Sequence, residues 1–114
     1  MNKLIFKNQV LSEKIKVANT FNERLIGLMF KKKMSQYDGL LIVPCNSIHT
    51  FFMKFNIDVY FLDKENKVVK ILKGLRPWRV TGIYFKASKV LELNENYIKQ
   101  EINIGDKLEV ICLK

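Results

Sequence analysis

The sequence predicts a mainly β, α+β domain: an antiparallel β-sandwich or barrel-like fold with one short helix packed on it. Three observations carry this. Short apolar runs separated by turn signals repeat for about fifty residues after Gly39. Only one stretch, Phe21 to about Met29, has helical spacing. The chain has 114 residues, 48% of them apolar, enough for one domain (1–114) and one core.

Each element has a local reason. Lys3 to Phe6 and Lys14 to Val17 alternate and read as strands. Thr20-Phe-Asn-Glu23 is a capping box, in which the threonine oxygen takes the Glu23 amide and the glutamate reaches back. Phe21, Leu25, Leu28 and Met29 then form the apolar stripe of the helix. Gly27 inside it predicts close packing against a neighbour, and Lys31-Lys-Lys33 predicts the end of the helix, where cations suit the dipole. Gly39 to Val43, Ile48 to Phe55, Ile57 to Asp63 and Val68 to Leu75 are expected strands. Asp63-Lys-Glu-Asn-Lys67 is a hairpin turn between the last two. Arg76 to Phe85, with Pro77, Gly82 and no period, is a long loop. Lys89 to Leu93 is a strand and Asn94 to Gln100 a helical turn. Ile104-Gly-Asp-Lys107 turns the chain into a last strand, Leu108 to Leu113.

Two of these strands are apolar on both faces and belong at the centre. In the first, His49, Phe51, Met53 and Phe55 alternate with Ile48, Thr50, Phe52 and Lys54. In the second, Ile57, Val59 and Phe61 oppose Asp58, Tyr60 and Leu62. Polar groups set there need partners, because burying them alone costs several kcal/mol, about 2–7 by transfer scales.

Composition excludes more than it assigns. One histidine rules out three-His zinc sites and His-Glu-x-x-His metalloproteases. There is no phosphate loop, dinucleotide fingerprint, zinc-finger spacing or Gly-x-Ser-x-Gly elbow. No apolar run reaches the roughly 18 residues of a membrane span. The first eight residues turn polar too soon for a signal-peptide core, which predicts a cytoplasmic protein. Cys45 and Cys112 then read as reduced thiols, Cys112 buried in the last strand.

The net charge of +9 invites an acidic partner, yet seventeen of the twenty cations are lysine, the signature of a solvated face. The charge is uneven: Asp63 to Lys89 holds eight cations and two anions. The basic segment 64–89, with Trp78 and Tyr84 exposed, is thus a possible nucleic-acid surface.

Four constellations could carry chemistry. Cys45, His49 and Met53, spaced by four, form a soft set suited to copper(I) if one strand carries them; the structural alternative is a core histidine and a core-filling methionine. Cys45 and His49 could act as nucleophile and base, but a four-residue strand separation is roughly 13 Å without a bend. Asp58 needs a partner, and Arg24 from the helix is expected to supply it, either as structure or as a charge presented to a ligand. Arg76-Pro-Trp-Arg79 could stack Trp78 on a sugar or base, or Trp78 could close the core.

Arg24-Leu-Ile-Gly-Leu-Met29, Gly39-Leu-Leu41, Ile48-His-Thr-Phe-Phe-Met-Lys54, Ile57-Asp-Val-Tyr-Phe-Leu-Asp63, Pro77-Trp-Arg79, Val90-Leu-Glu-Leu93 and Gly105-Asp106 occur in this order. This resembles domain-of-unknown-function family 192, from about residue 18 to the C-terminus. The resemblance implies a compact β-sandwich or barrel-like domain with one helix and no established activity. It also implies that Arg24, Met53, Lys54 and Asp58 surround a shared site. Relatives with the His-Thr-Phe version look like accessories of secretion or pilus systems, which points to a partner protein. Asn56 stands where the family pattern has proline, and Asn94-Glu-Asn96 where it has a Pro-small-Gly turn; Asn96 can adopt the left-handed conformation.

The reading is a non-catalytic binding or accessory module without a cofactor. A small polar or anionic ligand, such as a saccharide, would sit near the 48–63 strands and the 76–79 loop, against Arg24, His49, Met53, Lys54, Asp58, Arg76, Trp78 and Arg79. The alternatives are nucleic-acid binding through residues 64–89 and an enzyme using Asp58 or Glu92 as acid or base.

Overall fold

The computed structural model describes residues 1–29, 31 and 36–112. Among them are seven strands and one helix: β1 (Asn2–Phe6), β2 (Gln9–Ala18), α1 (Phe21–Ile26), β3 (Gly39–Ile42), β4 (Ile57–Leu62), β5 (Val68–Leu75), β6 (Lys89–Asn94) and β7 (Glu109–Cys112). They form one mixed sheet in the order β5-β4-β6-β3-β2-β1-β7. The mainly β class with one helix is as the sequence predicts. The sheet is not closed into a barrel, but it curls until its ends meet at one corner. There Val68 N donates to Asp106 O, Gly105 N to Val68 O and Leu108 N to Asn66 O.

β1 and β2 are joined by Lys7-Asn8, both at positive φ, the geometry that matches strand twist in a two-residue hairpin. β2 and β3 are the one parallel pair between neighbouring strands, because α1 crosses between them. The capping box forms: Thr20 Oγ1 accepts from Glu23 N at 3.2 Å, and Glu23 Oε1 accepts from Thr20 N at 3.2 Å. α1 nonetheless ends at Ile26, three residues before the predicted end. Gly27 sits at its C-cap with φ 50°, so backbone conformation rather than close packing requires glycine there. Lys31 therefore lies beyond the last turn, where Arg24 is the basic residue; Lys32 and Lys33 lie outside the described residues.

β3, β4 and β6 form the centre, and β4 is buried along its whole length. Ile57, Val59 and Phe61 pack on one face with Leu40, Ile42 and Val90. Tyr60 and Leu62 pack on the other with Leu4, Ile15, Leu91 and Leu108. Gly39 has no room for a Cβ, which would meet the Leu93 side chain, Glu92 O at 3.0 Å and Ile15 Cδ1 at 3.1 Å.

The segment Ile48 to Phe55 is not a strand of this sheet. β3 and β4 run parallel with β6 between them, so residues 43–56 must cross over β6. β5 and β6 run parallel with β4 between them, so residues 76–88 cross over β4 in the opposite direction. The two crossovers meet as an antiparallel layer. His49 bridges Val80, Thr81 N donates to Ile48 O while Ile48 N donates to Thr81 Oγ1, and Tyr84 N donates to Asn46 O. The first crossover buries Ile48, Thr50 and Met53 and exposes Phe51, Phe52 and Lys54, so it is not the central strand, covered on both faces, that its alternation predicts. Ile48, Met53 and Ala87 from this layer complete the core on its face of the sheet.

Three smaller differences follow from local geometry. Asn94 to Gln100 is a turn rather than a helical turn, with Asn96 at φ 63° and Tyr97 N bonded to Asn94 O; the left-handed asparagine is as expected. β7 starts at Glu109, and Leu113 lies outside the described residues. Cys112 is exposed rather than buried, because β7 is an edge strand. No helix among the described residues is long and apolar enough to cross a membrane.

Candidate functional site

A groove of about 240 Å3 lies between α1 and the first crossover. Phe21, Leu25 and Leu28 form one wall, and Pro44, Ile48 and Met53 form the other. Arg24, Cys45, His49 and Glu92 supply its polar groups. Three predicted site residues therefore converge here: Arg24, His49 and Met53. They do so because α1 and the 43–56 crossover cover the same face of β3 and β6.

Arg24 Nη1 donates to Pro44 O at 3.3 Å, while its Nε is buried and has no hydrogen-bond partner among the described residues. Such an orphaned donor costs about 1–3 kcal/mol unless something accepts from it. Glu92 is 3% exposed, and burial pushes its carboxyl up to about 8, so it keeps its proton at neutral pH. Burial also raises the Cys45 thiol, which donates to Ser47 O at 3.1 Å. His49 Nδ1 accepts from Phe51 N at 3.2 Å. Cys45, His49 and Met53 share the groove through the crossover, not through a common strand face. Among the described residues no group of three His, Cys, Asp or Glu side chains could hold a metal ion.

Asp58 lies elsewhere, and Arg24 is not its partner. Its Oδ1 accepts from Gly74 N at 2.8 Å, and its Oδ2 accepts from Asn96 N at 2.8 Å and pairs with Lys73 Nζ at 3.0 Å. Register slips between Ile57 and Val59 on β4, which face Leu75 and Leu72, so Lys73 and Gly74 bulge opposite Asp58. Gly74 takes φ 63° there. The carboxylate, 1% exposed, ties β4 to the β5 bulge and the β6 turn, with both oxygens engaged. The sequence signal for this was Gly74 inside an otherwise regular strand.

The remaining candidates gather beside the groove. Trp78 does not close the core; it is 56% exposed and meets Phe52 edge-on, with centroids 4.7 Å apart. Phe51 joins Trp78 to His49, at 5.9 Å and 5.0 Å between centroids. Lys54, Arg76 and Arg79 are exposed around these rings. Tyr84 is half-buried against Phe61, so it is not on the surface with Trp78. Nor is the basic segment one face. Lys64 and Lys67 lie at the β4–β5 turn, Arg76 and Arg79 past the other end of β5, about 25 Å of strand away.

Thr50 organises this region, a role its place in an apolar run did not announce. Fully buried, its Oγ1 donates to Arg76 O at 2.6 Å and accepts from Arg79 N at 2.8 Å. Its backbone N donates to Arg79 O, and its carbonyl accepts from Trp78 N and Met53 N.

Known proteins agree with this fold. The structure superposes on a Sinorhizobium meliloti protein described as a "putative transcription regulator" with a TM-score of 0.77 and 21% identity, covering 96% of this chain and 91% of that one. A Novosphingobium aromaticivorans protein of unknown function gives a TM-score of 0.77 at 20% identity, over 95% and 82% of the two chains. In sequence, the chain is 36% identical to a UPF0127 protein of Pyrococcus horikoshii over 110 residues, 90% of this chain and 92% of that protein. It is 42% identical to a UPF0127 protein of Thermococcus sibiricus over 109 residues, 90% and 70% of the two lengths. The model of the family described as "DUF192: Uncharacterized ACR, COG1430" matches residues 4–110. With nearly its whole length matched in sequence and its fold shared, the chain belongs to the DUF192 (UPF0127) family.

Proposed function

We propose that the protein is a non-catalytic binding module whose groove between α1 and residues 43–53 holds a small acid with an apolar body. The observation that carries this reading is the buried Nε of Arg24, without a hydrogen-bond partner among the described residues, in a groove otherwise walled by Phe21, Leu25, Ile48 and Met53. A carboxylate or similar anion would accept from that guanidinium. Apolar walls suit a hydrocarbon or aromatic body better than a saccharide, whose hydroxyls would find few partners. Glu92, protonated at neutral pH, adds a donor rather than a repelling charge. A thiol raised by burial and bonded to a backbone carbonyl suits a lining role better than a nucleophile's.

The test is a thermal-shift series with short-chain and aromatic carboxylates, the matching alcohols, and mono- and oligosaccharides. At one hundred times its dissociation constant a bound acid adds about 2.7 kcal/mol, or roughly 10 °C for a domain this small. The acid should shift wild type, its alcohol much less, and Arg24→Gln not at all. Silence from every acid, or an undiminished shift in Arg24→Gln, refutes the reading.

A further inference from the structure

The antiparallel layer built by the two crossovers carries more exposed apolar surface than a core requires. Phe51, Phe52, Trp78, Val80 and Ile83 are 37–66% exposed on these two segments, the rings together at one end, and Phe85 is exposed at the far end of the second segment. Large apolar patches on a protein surface mark contacts with a partner or a membrane. The charges on the two crossovers themselves have one sign. Residues 43–56 hold Lys54 and no acidic residue, and residues 76–88 hold Arg76, Arg79 and Lys86 and no acidic residue. The nearby Lys73 is taken by Asp58, but these four cations are exposed and none forms an ion pair among the described residues.

The tip is also held in shape. Phe52 and Trp78 both have positive φ, 63° and 65°, a conformation that bulky residues adopt only where their surroundings impose it. The imposing contacts are those of Thr50, which bonds to the backbone of Arg76, Trp78 and Arg79. The strained backbone thus projects two rings outward instead of letting them fold onto the core.

We propose that this tip docks on an anionic lipid bilayer, with its aromatic and aliphatic side chains at the headgroup–acyl boundary and Lys54, Arg76 and Arg79 against the lipid charges. Mixed aromatic and aliphatic side chains ringed by cations match that boundary. A single-stranded nucleic acid would use the rings but leave Val80 and Ile83 exposed, since only a π-face stacks on a base. The inference rests on the tip residues alone and stands or falls separately from the Arg24 groove.

Trp78 is the single tryptophan, so the tip carries its own reporter. The experiment adds the full chain to vesicles of phosphatidylcholine, pure or with phosphatidylserine, and follows tryptophan emission. A shift to shorter wavelength on the serine-containing vesicles, and quenching when their acyl chains are brominated, is the expected result. It should fade with salt and be absent on pure phosphatidylcholine. Arg76→Glu/Arg79→Glu should weaken partitioning by thirtyfold or more, at roughly one kcal/mol for each cation lost from the surface. Val80→Ser, at a 66% exposed position beside the rings, should weaken it as well. Unchanged emission on anionic vesicles at low salt overturns the proposal. Quenching by oligothymidylate without any response to vesicles overturns it in favour of a single-stranded nucleic acid.

Discussion

Asp58 and Glu92 are buried carboxyl groups on adjacent strands with opposite solutions to burial. Asp58 gathers two backbone amides and the Lys73 ammonium, so its charge is compensated. Asp58→Ala should destabilise the protein by about 3–5 kcal/mol in urea denaturation, since it strands those donors. Lys73→Met, removing a half-exposed partner, should cost far less; equal losses would mean that the ion pair rather than the amides fixes the bulge. Glu92 has no such partners among the described residues and keeps its proton instead. Its folded value of about 8 lies above the ordinary 4.5, so the folded chain holds a proton that the unfolded chain has released. Stability therefore falls as pH rises from about 4.5 to about 8 and is flat for this group beyond, a loss on the order of a few kcal/mol. Glu92→Gln should match wild type near pH 4.5 and melt several degrees higher near pH 8.5. Parallel pH profiles for the two proteins would show that Glu92 is solvated.

At the scale of elements, local rules decide the hairpin, the cap and the turns, and long-range packing decides the crossovers. Thr20→Ala should cost about 1 kcal/mol, the usual worth of an N-cap, and the loss should appear in chemical denaturation. The end of α1 was less legible, because Gly27 is tolerable inside a helix and also ideal for stopping one. Its φ of 50° selects the second role. Residues 48–55 show the other kind of ambiguity. The apolar alternation there reads as a strand, but only Ile48, Thr50 and Met53 enter the core and Phe51 and Phe52 face outward. Thr50→Val keeps the shape and removes the hydroxyl, leaving the Arg79 amide without its acceptor. It should cost about 2 kcal/mol. It should also loosen Trp78, seen as lower emission anisotropy; unchanged anisotropy would show that Thr50 does not hold the tip.

Over the whole molecule, stability is graded from the centre of the sheet outward. β3, β4 and β6 are covered on both faces, by the crossover layer and by the β1–β2 side of the curled sheet. Their amides should exchange most slowly with solvent, near the rate set by global unfolding, and those of the exposed Gly82, Ile83, Phe85 and Lys86 among the fastest. Fast exchange in β4 would contradict the two-layer description. The two proposed sites follow the same grading. The groove and the aromatic tip both belong to the covering layer, where side chains are not committed to the core, while Asp58 is spent on the sheet.

The sequence by itself determined the mainly β class, the capping box, the hairpin at Asp63–Lys67, the two-faced burial of β4 and the family. These rest on patterns a few residues long, which local sterics and hydrogen bonding read directly. It also singled out His49 and Met53, as polar or soft side chains in an apolar run, and Arg24 through the family resemblance and as a partner for Asp58 that it does not become. Tertiary structure alone decided which of them meet. The pairing of Asp58 with Lys73 rather than Arg24, the loss of the Ile48–Phe55 strand to a crossover and the exposure of Trp78 all depend on strand order. Strand order is set by contacts between residues distant in the chain, and those leave no periodic mark in it.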